Sequence, residues 1–220
     1  MGKKANNTGW RFERKYQLSL DEYLQFEKLM MLSDMQTLHP DRQINNCYFD
    51  NITNNAYTES VEGYSEKMKV RIRWYGDLFN TVEPVLEFKL KQNHSNKKET
   101  FKLFKTTIND FFNWKDYANE VQDYIFQKYD FTILNRLEPV LINTYKRSYF
   151  SNFEKTYRLT IDRELKFISP ANKLSYKSPQ TVDSYIIELK FDNENLIKNF
   201  PVTKNLGKFS KFATGVNLVR

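Results

Sequence analysis

The chain has 220 residues, 40% of them hydrophobic, with 18 Phe and 14 Tyr, so it can bury a sizeable core and is not a disordered polymer. Its formal net charge of +7 suits a polyanionic partner without naming one. One cysteine, Cys47, and two histidines, His39 and His94, exclude an intramolecular disulfide, a zinc constellation and most Cys/His catalysis, so a bound metal would be held by carboxylates, which favours Mg2+ or Mn2+.

Residues 1–10 read as a disordered leader without the apolar stretch of a signal peptide. No apolar run approaches the roughly 20 residues of a membrane helix, and the expectation is a cytoplasmic protein. Residues 11–18 form the first strand, with Glu13 and Lys15 on one face and Phe12, Tyr16 and Leu18 on the other. Ser19 or Asp21 then caps a helix running to about Met35, with Leu24, Leu29, Met30 and Leu32 as a ragged apolar stripe. A short strand at 47–50 continues through 53–57 to a break at Gly63.

The segment 67–75 puts Lys67, Lys69, Arg71 and Arg73 on one face and Met68, Val70, Ile72 and Trp74 on the other. Four like charges in a row repel unless something anionic sits among them. The pattern returns in the strand at 85–91, where Glu87, Lys89 and Lys91 oppose Leu86, Phe88 and Leu90. A polar turn at 92–99 precedes an aromatic helix at 106–128, whose spacing favours core packing over a stacking surface for bases. Strands follow at 140–150, with Tyr145, Arg147 and Tyr149 on one face, and at 157–166, with Arg158, Thr160, Asp162 and Glu164 on one face. The last, at 185–192, sets Ile186, Glu188, Lys190 and Asp192 against Ile187, Leu189 and Phe191. The tail Lys208-Phe209-Ser210-Lys211-Phe212 begins a helix of about two turns. No linker or repeat divides the chain, so 11–220 reads as a single domain.

Strands apolar on one face and charged on the other satisfy either a sandwich, with the charges outside, or a closed barrel under helices, with the charges inside. The pairs Glu87/Lys89 and Glu188/Lys190 would place a metal ligand beside a phosphate ligand in the second case, the mixture that phosphoryl transfer needs. In that reading Glu87 and Lys69 join the site.

The run Lys69-Val70-Arg71-Ile72-Arg73-Trp74-Tyr75-Gly76, the pair Glu87/Lys89, the segment Tyr145-Lys146-Arg147, the strand Arg158-Leu159-Thr160-Ile161-Asp162, the pair Glu188/Lys190 and the tail at 208–212 occur in this order. In this they resemble the VTC (vacuolar transporter chaperone) domain, the polyphosphate polymerase branch of the triphosphate tunnel metalloenzymes. The resemblance covers about 11–219 and implies an α+β fold: a closed antiparallel tunnel barrel of eight strands with a charged lumen, flanked by helices. It implies transfer of the γ-phosphoryl of ATP to inorganic polyphosphate with a divalent metal, typically Mn2+. By position, Lys15, Arg71, Arg73, Lys89, Arg147, Arg158 and Lys190 would bind phosphates, with Glu188 on the metal and Asp162 a further metal candidate. Tyr145 would hydrogen-bond a phosphate, and Lys208 and Lys211 would close one tunnel mouth.

The hydrolytic branch opens with Glu-x-Glu-x-Lys, whereas the same phase here reads Arg11, Glu13, Lys15, which fits the polymerase branch better. The membrane and inositol-phosphate sensor domains of eukaryotic relatives have no counterpart in this sequence, which resembles a stand-alone bacterial member. A P-loop and the kinase signatures are absent from the sequence. A triphosphatase-like hydrolase and a non-catalytic polyanion binder are the alternatives. Nucleic acid is disfavoured because most aromatics fall on the apolar faces.

Overall fold

The computed structural model describes residues 12–92, 95–129, 137–191 and 209–220. The strands are β1 (Phe12–Leu18), β2 (Met35–Asp50), β3 (Lys67–Tyr75), β4 (Asn80–Val82), β5 (Val85–Gln92), β6 (Ser95–Lys102), β7 (Thr106–Ile108), β8 (Glu138–Asn152), β9 (Tyr157–Ile168), β10 (Gln180–Val182) and β11 (Tyr185–Phe191), with period-two alternation clearest in β3, β5 and β11. The helices are α1 (Leu20–Met31), α2 (Asn55–Glu62), α3 (Trp114–Tyr129) and α4 (Lys211–Val219). Nine strands form one antiparallel sheet in the order β1-β11-β9-β8-β2-β3-β5-β6, with β10 added to β9, while β4 and β7 pair separately. The fold is α+β. Among the described residues the path ends at β1 and β6 with no ladder joining them, so the eight-stranded closure expected from the resemblance is not formed by these hydrogen bonds. Lys97, Lys98 and Lys102 on β6 are the kind of charge that keeps an edge strand unpaired.

The chain divides into two compact units. The first is drawn from Met1–Asp41, Arg147–Arg163 and Asp183–Phe209, and the second from Arg42–Lys146, Glu164–Val182 and Ser210–Arg220. In the first unit Tyr16, Leu18, Leu159, Ile161, Ile187 and Leu189 turn toward Phe26 and Met30 of α1. Ser19 caps this helix as expected. Its hydroxyl accepts from the Glu22 amide and the Glu22 carboxylate accepts from the Ser19 amide, a reciprocal capping box. The helix stops at Met31, short of the expected Met35, and buries Phe26 and Met30 while Leu24, Leu29 and Leu32 stay exposed.

In the second unit Cys47, Phe49, Val70, Ile72, Trp74, Leu86 and Phe88 pack on Trp114, Tyr117, Val121 and Ile125 of α3. Trp74 and Trp114 stack with centroids 5.2 Å apart. In both units a helix covers the apolar strand face. That is the arrangement expected of helices over a sheet and not of one sheet against another. Ile44–Asp50 is buried residue by residue, so the opposite face of β2 is covered as well.

Several sequence expectations shift. The segment at 53–57 is not strand: α2 begins at Asn55, whose amide donates to Asn51 Oδ1 at 2.9 Å, and the next two amides are taken by Asp50, whose Oδ1 accepts from Ala56 at 3.0 Å and Oδ2 from Tyr57 at 2.9 Å. The cap comes from a preceding strand, outside the usual sequence signature. Residues 95–99, expected within a turn, belong to β6, which pairs antiparallel with β5 and whose charged sequence lacks apolar alternation. Residues 106–113 are not helical, since β7 precedes α3. Glu164 has φ 57°, and a left-handed residue inside β9 ends the alternation expected to carry it with Asp162. Lys208 and the leader lie outside the described residues. No helix among the described residues is long and apolar enough to cross a membrane.

Helix α4 docks through Phe212, Gly215 and Val216. A Cβ on Gly215 would meet Phe167 Cδ1 and lie 2.6 and 2.9 Å from the Leu141 methyls. Gly215→Ala gains about 1 kcal/mol of helix propensity, but overpacking of this kind costs about 1–3 kcal/mol. A lower urea midpoint is expected; a higher one would show that α4 is free to move away.

Candidate functional site

The polar face of β3 in the second unit carries Lys69, Arg71 and Arg73, and the strand register decides what they meet. Lys69 lies opposite Lys89, which lies opposite Lys98, so three lysines stand side by side across three strands. Lys67 faces Lys91 in the same way. Arg71 lies opposite Glu87. Its Nε donates to Glu87 Oε2 at 2.8 Å, its Nη2 lies 2.6 Å from the same oxygen, and its Nη1 donates to the Tyr48 hydroxyl at 2.9 Å. Lys98 holds the other Glu87 oxygen at 2.6 Å, and Arg73 Nη1 stands 3.7 Å from Oε2. Three cations thus share one carboxylate that is 4% exposed.

Arg73 Nε donates to Asn46 Oδ1 at 2.8 Å, and Asn46 Nδ2 donates to Asn143 Oδ1 at 2.8 Å. At the start of α4, Lys69 Nζ donates to Ser210 Oγ at 3.1 Å and lies over the Phe212 ring, and Lys211 lies over the Tyr145 ring. The same Ser210 hydroxyl accepts from the Ala213 amide.

In the first unit, β1 and β11 place Lys15 opposite Glu188 and Glu13 opposite Lys190. Lys15 Nζ lies 2.7 Å from Glu13 and 3.7 Å from Glu188; Lys190 Nζ lies 2.8 Å from Glu188 and 3.9 Å from Glu13. Two acids and two bases therefore alternate around a square. Arg147 grips Asp162 through Nε and Nη2, with Asp162 wholly buried. Thr160 stands opposite Glu188, its buried hydroxyl without a partner among the described residues, and Arg158 is exposed opposite Lys190.

Charge sets the titration of these groups. Burial would raise the Glu87 carboxyl, but Arg71, Arg73 and Lys98 outweigh it and hold it down from 4.5 to about 2. Burial opposes the Glu188 carboxylate too, and Lys15, Lys190 and Arg147 keep it well below the carboxylate range. Lys15 is pushed above its ordinary range, since Glu188 and Glu13 outweigh its burial and the Arg147 charge. Tyr48 is lowered, because Arg71, Arg73 and Lys211 outweigh its burial. Lys98 is lowered by burial, with Arg73 and Arg71 adding to that against the pull of Glu87.

The expected site residues therefore fall into two groups. Lys69, Arg71, Arg73, Glu87, Lys89, Tyr145 and Lys211 belong to the second unit, and Lys15, Arg147, Arg158, Asp162, Glu188 and Lys190 to the first. Arg71 and Arg73 are engaged in ion pairs and hydrogen bonds, not held apart as bare charges. Sequence reasoning passed over Tyr48, Asn46, Asn143 and Lys98. The first two share the strand phase opposite Cys47 and Phe49 and were legible in principle; Lys98 was hidden in the misread turn.

A divalent ion needs hard oxygen donors, often two carboxylates completed by substrate phosphates and water. No group of three or more Asp, Glu, His or Cys gathers among the described residues. Both Asp162 oxygens are taken by Arg147, and Glu87 is held by three cations. That leaves Glu188, which with Glu13 offers the hard carboxylate oxygens such an ion takes, both also in contact with Lys15 and Lys190.

Comparisons with known proteins bear on the fold and the family. A solved candidate adenylate cyclase from Bacillus halodurans superposes with a TM-score of 0.51 at 12% identity, over 90% of this chain and 94% of that one, which shows a shared fold. A candidate adenylate cyclase from Vibrio parahaemolyticus gives 0.47 at 11% identity over 87% and 82% of the two chains. A candidate adenylyl cyclase from Hippeastrum, described as having a dominant triphosphatase activity, gives 0.48 at 14% identity over 95% and 97%. No curated protein matches the sequence. The model of the VTC domain matches residues 10–220, so the chain belongs to the VTC domain family.

The Glu87 cluster gives a pH test. A carboxyl that titrates at about 2 when folded and 4.5 when unfolded contributes stability in full above about pH 4.5 and loses it as pH falls toward 2. Glu87→Gln should flatten that acid limb in denaturant melts across pH. At pH 7 it should cost about 3 kcal/mol, because three cations lose their shared counter-charge. An unchanged acid limb would move the titrating interaction elsewhere.

Proposed function

We propose that the chain is a polyphosphate polymerase that transfers the γ-phosphoryl of ATP to a growing inorganic polyphosphate chain. Family membership supports the reading, and one observation carries it: the register that aligns Lys69, Lys89 and Lys98 across three strands. Like charges directly opposite one another destabilise a sheet, and a polyanion turns that cost into binding. Around this row Arg71, Arg73, Lys211 and Tyr145 take phosphoryl oxygens. In the other unit Lys15, Arg147, Arg158 and Lys190 do the same. Lys15 and Lys190 exchange part of their carboxylate contact for phosphate.

In the transfer, a terminal oxygen of polyphosphate attacks the γ-phosphorus, the bond to the β–γ bridging oxygen breaks, and ADP leaves with that oxygen's electron pair. The attacking oxygen is already anionic at neutral pH, so the step needs positioning and charge neutralisation and no general base. Hydrolysis would require activation of a neutral water. Carboxylates depressed as far as Glu87 and Glu188 are weak bases for that, which favours transfer. Glu188 and Glu13 would hold Mn2+ or Mg2+, which when bound neutralises phosphoryl charge. The residues themselves orient the chain and offset its repulsion.

Incubation with ATP and Mn2+, followed by gel detection, should show polyphosphate, and a chelator should abolish it. Glu188→Gln should lower the rate by about 10–100-fold, the usual effect of disturbing a metal site, with the fold intact by circular dichroism. Release of free phosphate without polymer would replace this reading by the hydrolase one. A Glu188→Gln rate equal to wild type would remove Glu188 from the metal site.

A further inference from the structure

Two buried side-chain polar atoms among the described residues have no partner, Thr160 Oγ1 and Asn143 Nδ2. Asn143 is 1% exposed, on the phase of β8 that it shares with Tyr145 and opposite to Ile142 of the apolar core. An amide end left unpaired at that depth is costly and calls for an occupant.

Chemistry fixes which end is left over. A guanidinium only donates, so the Asn46 atom that meets Arg73 Nε is its oxygen. Asn46 must then present its NH2 to Asn143, and the Asn143 atom that receives it must be the carbonyl oxygen. The remaining Asn143 group is a donor with both N–H bonds unused. Arg73 thus sets the polarity of two amides in series, and the relay ends on a donor at the face that carries Arg71 and Arg73.

We infer that Asn143 Nδ2 binds a phosphoryl oxygen of the substrate chain, as an uncharged member of the phosphate-binding set oriented by Arg73 through Asn46. This rests on the reading of that face as a polyphosphate site and adds a residue to it. The advantage of a neutral donor is physical: a face already crowded with cations gains another hydrogen bond to its ligand without further self-repulsion in the free protein. Such a donor also selects for deprotonated oxygens, because Asn143 offers no acceptor to a P–OH group.

Calorimetric titration with tripolyphosphate tests it on the full chain. Asn143→Ala removes the donor without adding charge, and the dissociation constant should rise about tenfold, the loss of one hydrogen bond to an ionised acceptor. On the wild-type protein the side-chain 1H–15N pair of Asn143 should shift as tripolyphosphate is added, a readout that does not depend on the variant folding. Wild-type protein that binds no tripolyphosphate overturns the polyphosphate reading and this inference with it. Wild-type protein that binds, with an unmoved Asn143 resonance or an Asn143→Ala affinity equal to wild type, overturns this inference alone and leaves Asn143 a structural amide that holds Asn46.

Discussion

Repulsion between like charges on neighbouring strands is the constraint that shapes the polar face of this protein. Lys69, Lys89 and Lys98 are held side by side by the same hydrogen-bond ladders that hold the apolar face together. The strands cannot slip to separate them, because a one-residue shift would turn Val70, Ile72 and Trp74 away from α3. The fold therefore retains the repulsion and moderates it locally. Glu87 is shared among Arg71, Arg73 and Lys98, Lys69 lies over Phe212, and Arg71 lies over Tyr48. Aromatic faces soften a cation without neutralising it, so the face keeps its attraction for anions.

The two units handle charge differently. In the second, arginines act as pure donors and impose direction on neutral neighbours, so Tyr48 accepts from Arg71 and the Asn46–Asn143 pair transmits the polarity of Arg73. In the first, Glu13, Lys15, Glu188 and Lys190 alternate in sign around a square of close contacts. In such an arrangement each carboxylate is offset by the lysine across the ladder, and each lysine by a carboxylate. Both arrangements leave their carboxylates strongly acidic. Carboxylates held that acidic are weak proton acceptors.

Much of this was legible in the residues alone. Strict alternation placed β3, β5 and β11 within a residue of their observed limits, because a half-covered strand writes its two environments into alternate positions. Ser19 announced α1, since a capping box is local chemistry. The basic and acidic residues of the candidate site followed from the same phase. The strand at 95–102 was not legible: its side chains are charged on both faces, and pairing with β5, not alternation, makes it a strand. Helix α2 was hidden because Asp50, already committed to β2, supplies its cap.

By itself, then, the sequence determined the side of each strand that bears charge, which depends on neighbours a few positions apart, and, through motifs spread along the whole chain, the α+β class and membership of the VTC domain family. Only the tertiary structure decided which charges meet. It gave Glu87 to three cations and Asp162 to Arg147, left the ladder path open among the described residues, and set Asn143 at the end of a chain of donors. Those outcomes depend on the register between strands distant in sequence, and a periodic pattern fixes the face of a residue without fixing the partner across the ladder.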